Sequence, residues 1–293
     1  MIAPGSRSLN VKFILPALKE ASDPSWRPIK YSLFPPLGLA TLAAYLSPDD
    51  RATIVDEHVQ PLTLGDLPEL VVIQVYITNA YRAYRIADHY RRKGAFVCLG
   101  GLHVTSLPAE AAVHADAIFL GPGEQTFPNF LRDFRAGKPE RIYTSTAGRT
   151  LERIPPIRRD LIRRGSYLVP NSIVVTRGCP QHCDFCYKDA FFQGGRGFYT
   201  QRVEDALAEI ERLPGRHLYF LDDHLLGDRR HRKRSLIVHQ PGHQVGSVTT
   251  KIHQSPTAIQ HRICQPCEKF RLNVNLFRAA MPVVRDHLAN LSE

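Results

Sequence analysis

From residue 11 to residue 136, short apolar runs alternate with segments of helical period. Runs at 11–15, 52–56, 70–77, 96–99 and 117–120 read as strands, and stretches at 37–46, 79–93, 108–115 and 124–135 read as helices. The stretch beginning at Asn79 puts Ala80, Ala83, Tyr84, Ala87 and Tyr90 on one face, as packing on a sheet requires. The alternation predicts an α/β fold, a flavodoxin-like doubly wound parallel sheet whose ligands bind beyond the carboxyl ends of the strands.

Residues 137–170 break the period with Gly137-Lys138-Pro139, Pro155-Pro156 and an arginine-rich run through Arg164, and read as a linker. Alternation restarts with a strand at 172–175. A helix at 202–213 follows, with Val203, Ala206, Leu207, Ile210 and Leu213 on one face and Pro214-Gly215 to stop it, and then a strand at 217–221. This is the start of a βα barrel, whose active site lies at the carboxyl ends of its strands. The pattern is lost from residue 231 onward. The expected organisation is therefore a sheet domain over 1–136, a linker over 137–170, a partial barrel over 171–230 and an atypical basic segment over 231–293.

Composition changes this picture little. With 293 residues and 43% hydrophobic content, the chain is long enough for two ordinary globular domains. No apolar run reaches the ~18 residues of a membrane span. The amino-terminal residues lack the features of a secretory signal. Six cysteines, three of them clustered, suit a reducing compartment and point to the cytoplasm. The formal charge is +10, but residues 231–293 hold nine Lys/Arg against three Asp/Glu, so the excess sits mostly in that segment. A nucleic-acid partner is accordingly not expected.

Chemistry concentrates in Thr176-Arg177-Gly178-Cys179-Pro180-Gln181-His182-Cys183-Asp184-Phe185-Cys186-Tyr187. Thiolates are the usual ligands of iron–sulfur clusters. Three at Cys-x3-Cys-x2-Cys spacing hold three irons of a 4Fe-4S cube and leave one iron free for a small molecule. The competing readings are a zinc knuckle completed by His182, or unrelated buried thiols. In the first half, Gly100-Gly101-Leu102-His103 and Gly121-Pro122-Gly123-Glu124 follow the fourth and fifth strands, where glycine lets backbone approach a bulky ligand; the alternative is tight strand-to-helix turns. No Gly-Lys-Ser/Thr marks either as a P-loop. Asp222 and Asp223 end the strand at 217–221 and can accept from an ammonium or cap a helix. Gly194-Gly195-Arg196-Gly197 reads as structural. Cys264-Gln265-Pro266-Cys267 with His261 nearby is too few ligands for a second metal site.

The cysteine spacing, with Phe185 before the last thiol, resembles the signature of radical S-adenosylmethionine (SAM) enzymes. The resemblance implies that Cys179, Cys183 and Cys186 hold the 4Fe-4S cluster, that its free iron chelates SAM, and that Asp222 and Asp223 contact the SAM ammonium. Pro35-Pro36-Leu37-Gly38-Leu39, Val55-Asp56-Glu57, Gly100-Gly101-x-His103 and Gly121-x-x-Glu124 together resemble the cobalamin-binding domain that precedes one class of these enzymes. By that likeness Gly100, Gly101, His103, Gly121 and Glu124 line cobalamin. The Asp-x-His-x-x-Gly motif that supplies a lower cobalt ligand in the best-known cobalamin domains is absent after the first strand. Asp56-Glu57-His58 mimics half of it in the wrong place, and His58 reads as a loop histidine.

The activity implied is methyl transfer to an unactivated carbon of a small molecule, with a reductant such as flavodoxin or ferredoxin. Ring formation or rearrangement is the alternative chemistry. The 63 residues after 230 are too few for the rest of a barrel at on the order of 30 residues per strand–helix unit. The chain thus reads as a truncated or frame-shifted family member, and a protein that binds cluster and cobalamin without turnover is a rival expectation. A basic nucleic-acid binder with a structural metal is the third.

Overall fold

In the computed structural model, which describes residues 8–17, 32–145, 148–193, 197–214 and 218–225, six strands of the first half form one sheet. They are β1 (Asn10–Leu15), β2 (Arg51–Asp56), β3 (Leu70–Gln74), β4 (Phe96–Gly100), β5 (Ala117–Leu120) and β6 (Ile142–Thr144). All pairings are parallel, in the order β2-β1-β3-β4-β5-β6. The fold is thus flavodoxin-like α/β. Strand order reverses between β1 and β3, the place where doubly wound sheets take their ligands.

Both faces of the sheet are buried, so its residues divide by alternation. Val11, Phe13, Leu70, Val72, Cys98, Ala117 and Phe119 face one core, and Ile14, Val71, Ile73, Val97, Leu99 and Ile118 face the other. The connections are helices α1 (Leu37–Ala43), α2 (Ala80–Arg92), α3 (Leu102–Ser106), α4 (Pro108–Val113) and α5 (Thr126–Arg135). Leu39, Ala40 and Ala43 of α1 and Phe127, Phe130 and Leu131 of α5 close the first core. The second is closed by Ala80, Ala83, Tyr84, Ile86, Ala87 and Tyr90 of α2, the expected stripe with Ile86 added, and by Val104 and Ala111.

β6 falls in the stretch expected to be linker. Its one buried residue, Tyr143, stacks on Phe119 at 5.3 Å and meets Phe130 edge-on, while Ile142 and Thr144 are exposed. Burying one such ring is worth roughly 1.5–3 kcal/mol and adds to the backbone pairing with β5 that holds this three-residue edge strand. The rest of the segment is bonded along its length. Arg158 N donates to Ala40 O, Tyr167 Oη to Asp56 Oδ2 at 3.1 Å, and Leu168 N to Ser32 O.

The second half contains β7 (Ser172–Ile173), β8 (Thr176–Gly178), α6 (Lys188–Phe191), β9 (Phe198–Thr200), α7 (Val203–Glu211) and β10 (Tyr219–Phe220). β7 and β10 pair in parallel with α7 between them, one βαβ unit, and β8 pairs antiparallel with β9. Ile173, Val175 and Ala206 form a small core with Ile210, Leu218 and Leu225. Leu207, expected on the buried face of α7, is exposed, because among the described residues only these few apolar side chains lie under the helix. Two compact units are distinguished. One contains every strand and helix above, and the described part of the other is the segment Gln181–Phe185. Among the described residues no helix is long and apolar enough to cross a membrane.

Candidate functional site

The carboxyl edge of the sheet is shaped by glycine. Gly101 has φ +113°, and a Cβ there would lie 2.8 Å from Val75 O. The close approach exists because Val75 N donates to Gly100 O at 2.8 Å and His103 N to Val75 O at 3.3 Å, drawing the ends of β3 and β4 together. Gly121, after β5, has φ +78°; its amide donates to Thr105 Oγ1, and a Cβ would crowd Phe191 O at 3.2 Å and Ser145 Cβ at 3.3 Å. Across the reversal point, the Gln74 amide donates to Tyr76 Oη at 2.7 Å and lies beside Gly38 at the start of α1. Tyr76 is 41% and Ile77 70% exposed, so the edge carries an uncovered apolar surface.

The polar residues that follow these strands have protein partners. His103 is 5% exposed; its Nε2 lies 3.1 Å from Glu110 Oε1, and its buried Nδ1 has no hydrogen-bond partner. His58 Nδ1 is 2.7 Å from Asp56 Oδ1. Glu57 receives Arg82 at 2.6 Å and 3.1 Å. Glu124 accepts from Arg177 Nε at 2.6 Å, which joins the loop after β5 to the strand that leads into the cysteines.

The expected strand at 172–175 breaks after Ile173, and Asp222 is the cause. Its Oδ1 accepts from Val175 N at 2.9 Å, Thr176 N at 2.5 Å and Thr176 Oγ1 at 2.7 Å, which turns the chain out of β7 and into β8. Its Oδ2 is buried with no hydrogen-bond partner, and burial pushes the carboxyl above its usual range, against the pull of the Thr176 and Val175 hydrogen bonds. Asp223 is half exposed and pairs with Lys188, two residues after Cys186.

Cys179, Cys183 and Cys186 follow β8, each part-exposed and none in a disulfide. Cys183 and the exposed Phe185 belong to the second compact unit. In kind and number the three thiols are the donor set of a 4Fe-4S site with one open iron. Among the described residues, no three His, Cys, Asp or Glu side chains are gathered around a point where a metal ion would sit. The three thiols match such a donor set in residue type and in lying on one short loop. Two surface depressions, about 550 and 260 Å3, lie away from this loop, around Gly94 and Asp116 and along Arg82, Arg85 and Arg92 of α2. Gly194, Gly195 and Arg196, and Cys264, Cys267 and His261, lie outside the described residues.

Two contacts near this edge were not legible in the sequence. Arg149, within the expected linker, is 4% exposed and donates to Ser145 O and Phe192 O at 2.6 Å and Gln193 O at 2.8 Å. Gln74–Tyr76 carries no motif at all.

No protein-family model matches the chain. Bacteriochlorophyllide d C-8(2)-methyltransferase of Chlorobaculum tepidum is 33% identical over 165 residues, which cover 53% of this chain and 36% of that protein. An uncharacterized methyltransferase of Synechocystis sp. is 30% identical over 222 residues, covering 72% of this chain and 41% of the relative. Bacteriochlorophyllide d C-12(1)-methyltransferase of Chlorobaculum tepidum is 28% identical, with 65% and 44% covered. The chain spans less than half the length of these curated relatives. Over more than half of its own length, then, it is similar to methyltransferases.

Proposed function

We propose that this protein takes part in methyl transfer from SAM to an unactivated carbon of a small molecule, using a 4Fe-4S cluster and cobalamin. The observation that carries the reading is the donor set: three thiols on one loop, placed directly after a strand that is tied to the ligand edge of a doubly wound sheet. The similarity to methyltransferases, two of them named for positions of bacteriochlorophyllide d, supports methyl transfer as the outcome. Reductive cleavage of SAM and carriage of the methyl group are the chemistry that cluster and cobalamin supply when bound.

The chain's own residues have separable tasks. Cys179, Cys183 and Cys186 bind three irons. Asp222 offers its unpartnered Oδ2 to the SAM ammonium; a cation there offsets the burial that disfavours the ionised carboxyl. Asp223, already paired with Lys188, is the weaker candidate. Gly100, Gly101 and Gly121 let the chain pack tightly at the sheet edge, and Tyr76 and Ile77 present apolar surface to a flat macrocycle there. A flavodoxin or ferredoxin provides the electron.

Anaerobically reconstituted, reduced protein given SAM is expected to release 5′-deoxyadenosine, and Cys183→Ala is expected to release none. Cluster-loaded wild-type protein that yields no 5′-deoxyadenosine overturns the radical chemistry.

A further inference from the structure

We infer that Glu124 and Arg149 are positioning residues that clamp both ends of the cysteine loop to one corner of the sheet. The inference rests on the reading above, which makes that loop the metal site. At the loop's entrance, Arg177 precedes Cys179 by two residues. Its Nε donates to Glu124 Oε1 at 2.6 Å, and its Nη1 reaches the carbonyls of Val174 and Thr176 at 3.4 and 3.1 Å. The ion pair therefore grips backbone as well as side chain. At the exit, Arg149 holds Phe192 O and Gln193 O, with its guanidinium 5.6 Å from the Phe192 ring.

Both anchors stand on the same corner. Glu124 follows Gly121-Pro122-Gly123, where the Gly121 amide is fixed by Thr105, and a Cβ on Gly123 would press Leu42 at 3.1 Å. Arg149 returns to Ser145 O at 2.6 Å and Ser145 Oγ at 2.9 Å, just past β6. The Glu124 and Arg177 side chains are only 12% and 22% exposed. Taking two charges out of water gains little net stability over an apolar pair. What a buried arginine–carboxylate contact does supply is a fixed direction and distance. The loop is thus held at two points, one just before Cys179 and one a few residues after Cys186. Glu124 serves cobalamin only indirectly, by keeping the loop after β5 in register with the thiols.

The test measures the whole chain without metal, by hydrogen exchange over residues 174–193 and by alkylation rates of Cys179 and Cys186, and then iron retained after anaerobic reconstitution. Glu124→Ala and Arg149→Met are each expected to accelerate exchange and alkylation by roughly tenfold or more and to lower retained iron, with β1–β5 still protected. Glu124→Gln, which keeps shape and an acceptor, gives a smaller change. Exchanging the charges, Glu124→Arg with Arg177→Glu, restores part of the protection. Wild-type exchange and alkylation in Glu124→Ala and Arg149→Met overturn the inference. Failure of wild-type protein to retain iron would instead count against the proposed function, and the metal-free measurements still decide the clamp.

Discussion

Gly101→Ala is expected to lower the stability of the sheet by about 2–4 kcal/mol. With φ +113° and ψ −173°, the residue occupies a region essentially reserved for glycine, which by itself costs about 1–3 kcal/mol for any other residue. The added Cβ would also sit 2.8 Å from Val75 O and 3.2 Å from Val75 N, backbone atoms already hydrogen-bonded to His103 N and Gly100 O. Neither can withdraw without breaking the bond to Gly100 or to His103. Urea unfolding followed by circular dichroism checks this: the midpoint should fall with the slope unchanged. On the proposed function the variant is also expected to bind cobalamin more weakly, because the Val75 backbone that the methyl group displaces lies at the edge assigned to that ligand. A wild-type midpoint would mean that the close approach at Val75 is not a constraint.

Asp222→Ala is expected to cost about 2–5 kcal/mol, because the Val175 and Thr176 amides lose their shared acceptor, and each stranded amide costs about 1–3 kcal/mol. That carboxylate bridges the break between β7 and β8, so the lead into Cys179 should loosen with its loss. Asp222→Asn separates the two tasks of the side chain. Its amide oxygen can still accept from Val175 and Thr176, so most of the stability returns, whereas the oxygen assigned to the SAM ammonium becomes a donor and affinity falls.

The pH dependence follows with a definite sign. Burial raises the folded carboxyl above the ordinary value of 3.8, so the folded protein holds this proton where the unfolded chain has released it. Stability contributed by Asp222 therefore falls as pH rises through that interval, and the loss is complete above the folded value. An ammonium ligand favours the ionised carboxyl, so SAM affinity should increase with pH over the same interval in wild type and stay flat in Asp222→Asn. Calorimetric binding of SAM to cluster-loaded protein at several acidic pH values tests both slopes.

The first half could be read from the chain because its central strands are buried on both faces and its longer helices show one stripe. Phe13 and Ile14 are neighbours in sequence and belong to different cores, and the stripe from Ala80 to Tyr90 returns intact. Reading failed where a single contact decides. β6 buries Tyr143 alone, and three residues are too few to show a period. The run at 70–77 continues in hydrophobicity beyond its pairing. The strand ends at Gln74, and the Asn79 side chain then holds Tyr76 N and Pro16 O and turns the chain into a short 3-10 segment at Ile77–Asn79.

The candidate site shows the same division. Thiol spacing is a local property, so Cys179, Cys183 and Cys186 stand out in one dimension. The work of Asp222 depends on Thr176, 46 positions away, and that of Glu124 on Arg177, 53 positions away. Spacing along the chain carries no trace of either pairing.

The most direct measurement is metal content, with the visible spectrum, of the anaerobically purified and reconstituted chain. Three thiolates closing three corners of a cube should give ~4 iron atoms and as many sulfides per chain, with brown absorption that is lost in Cys179→Ala and changes on adding SAM. One tightly held zinc per chain, or iron whose absorption is indifferent to SAM, would contradict an open iron at this loop.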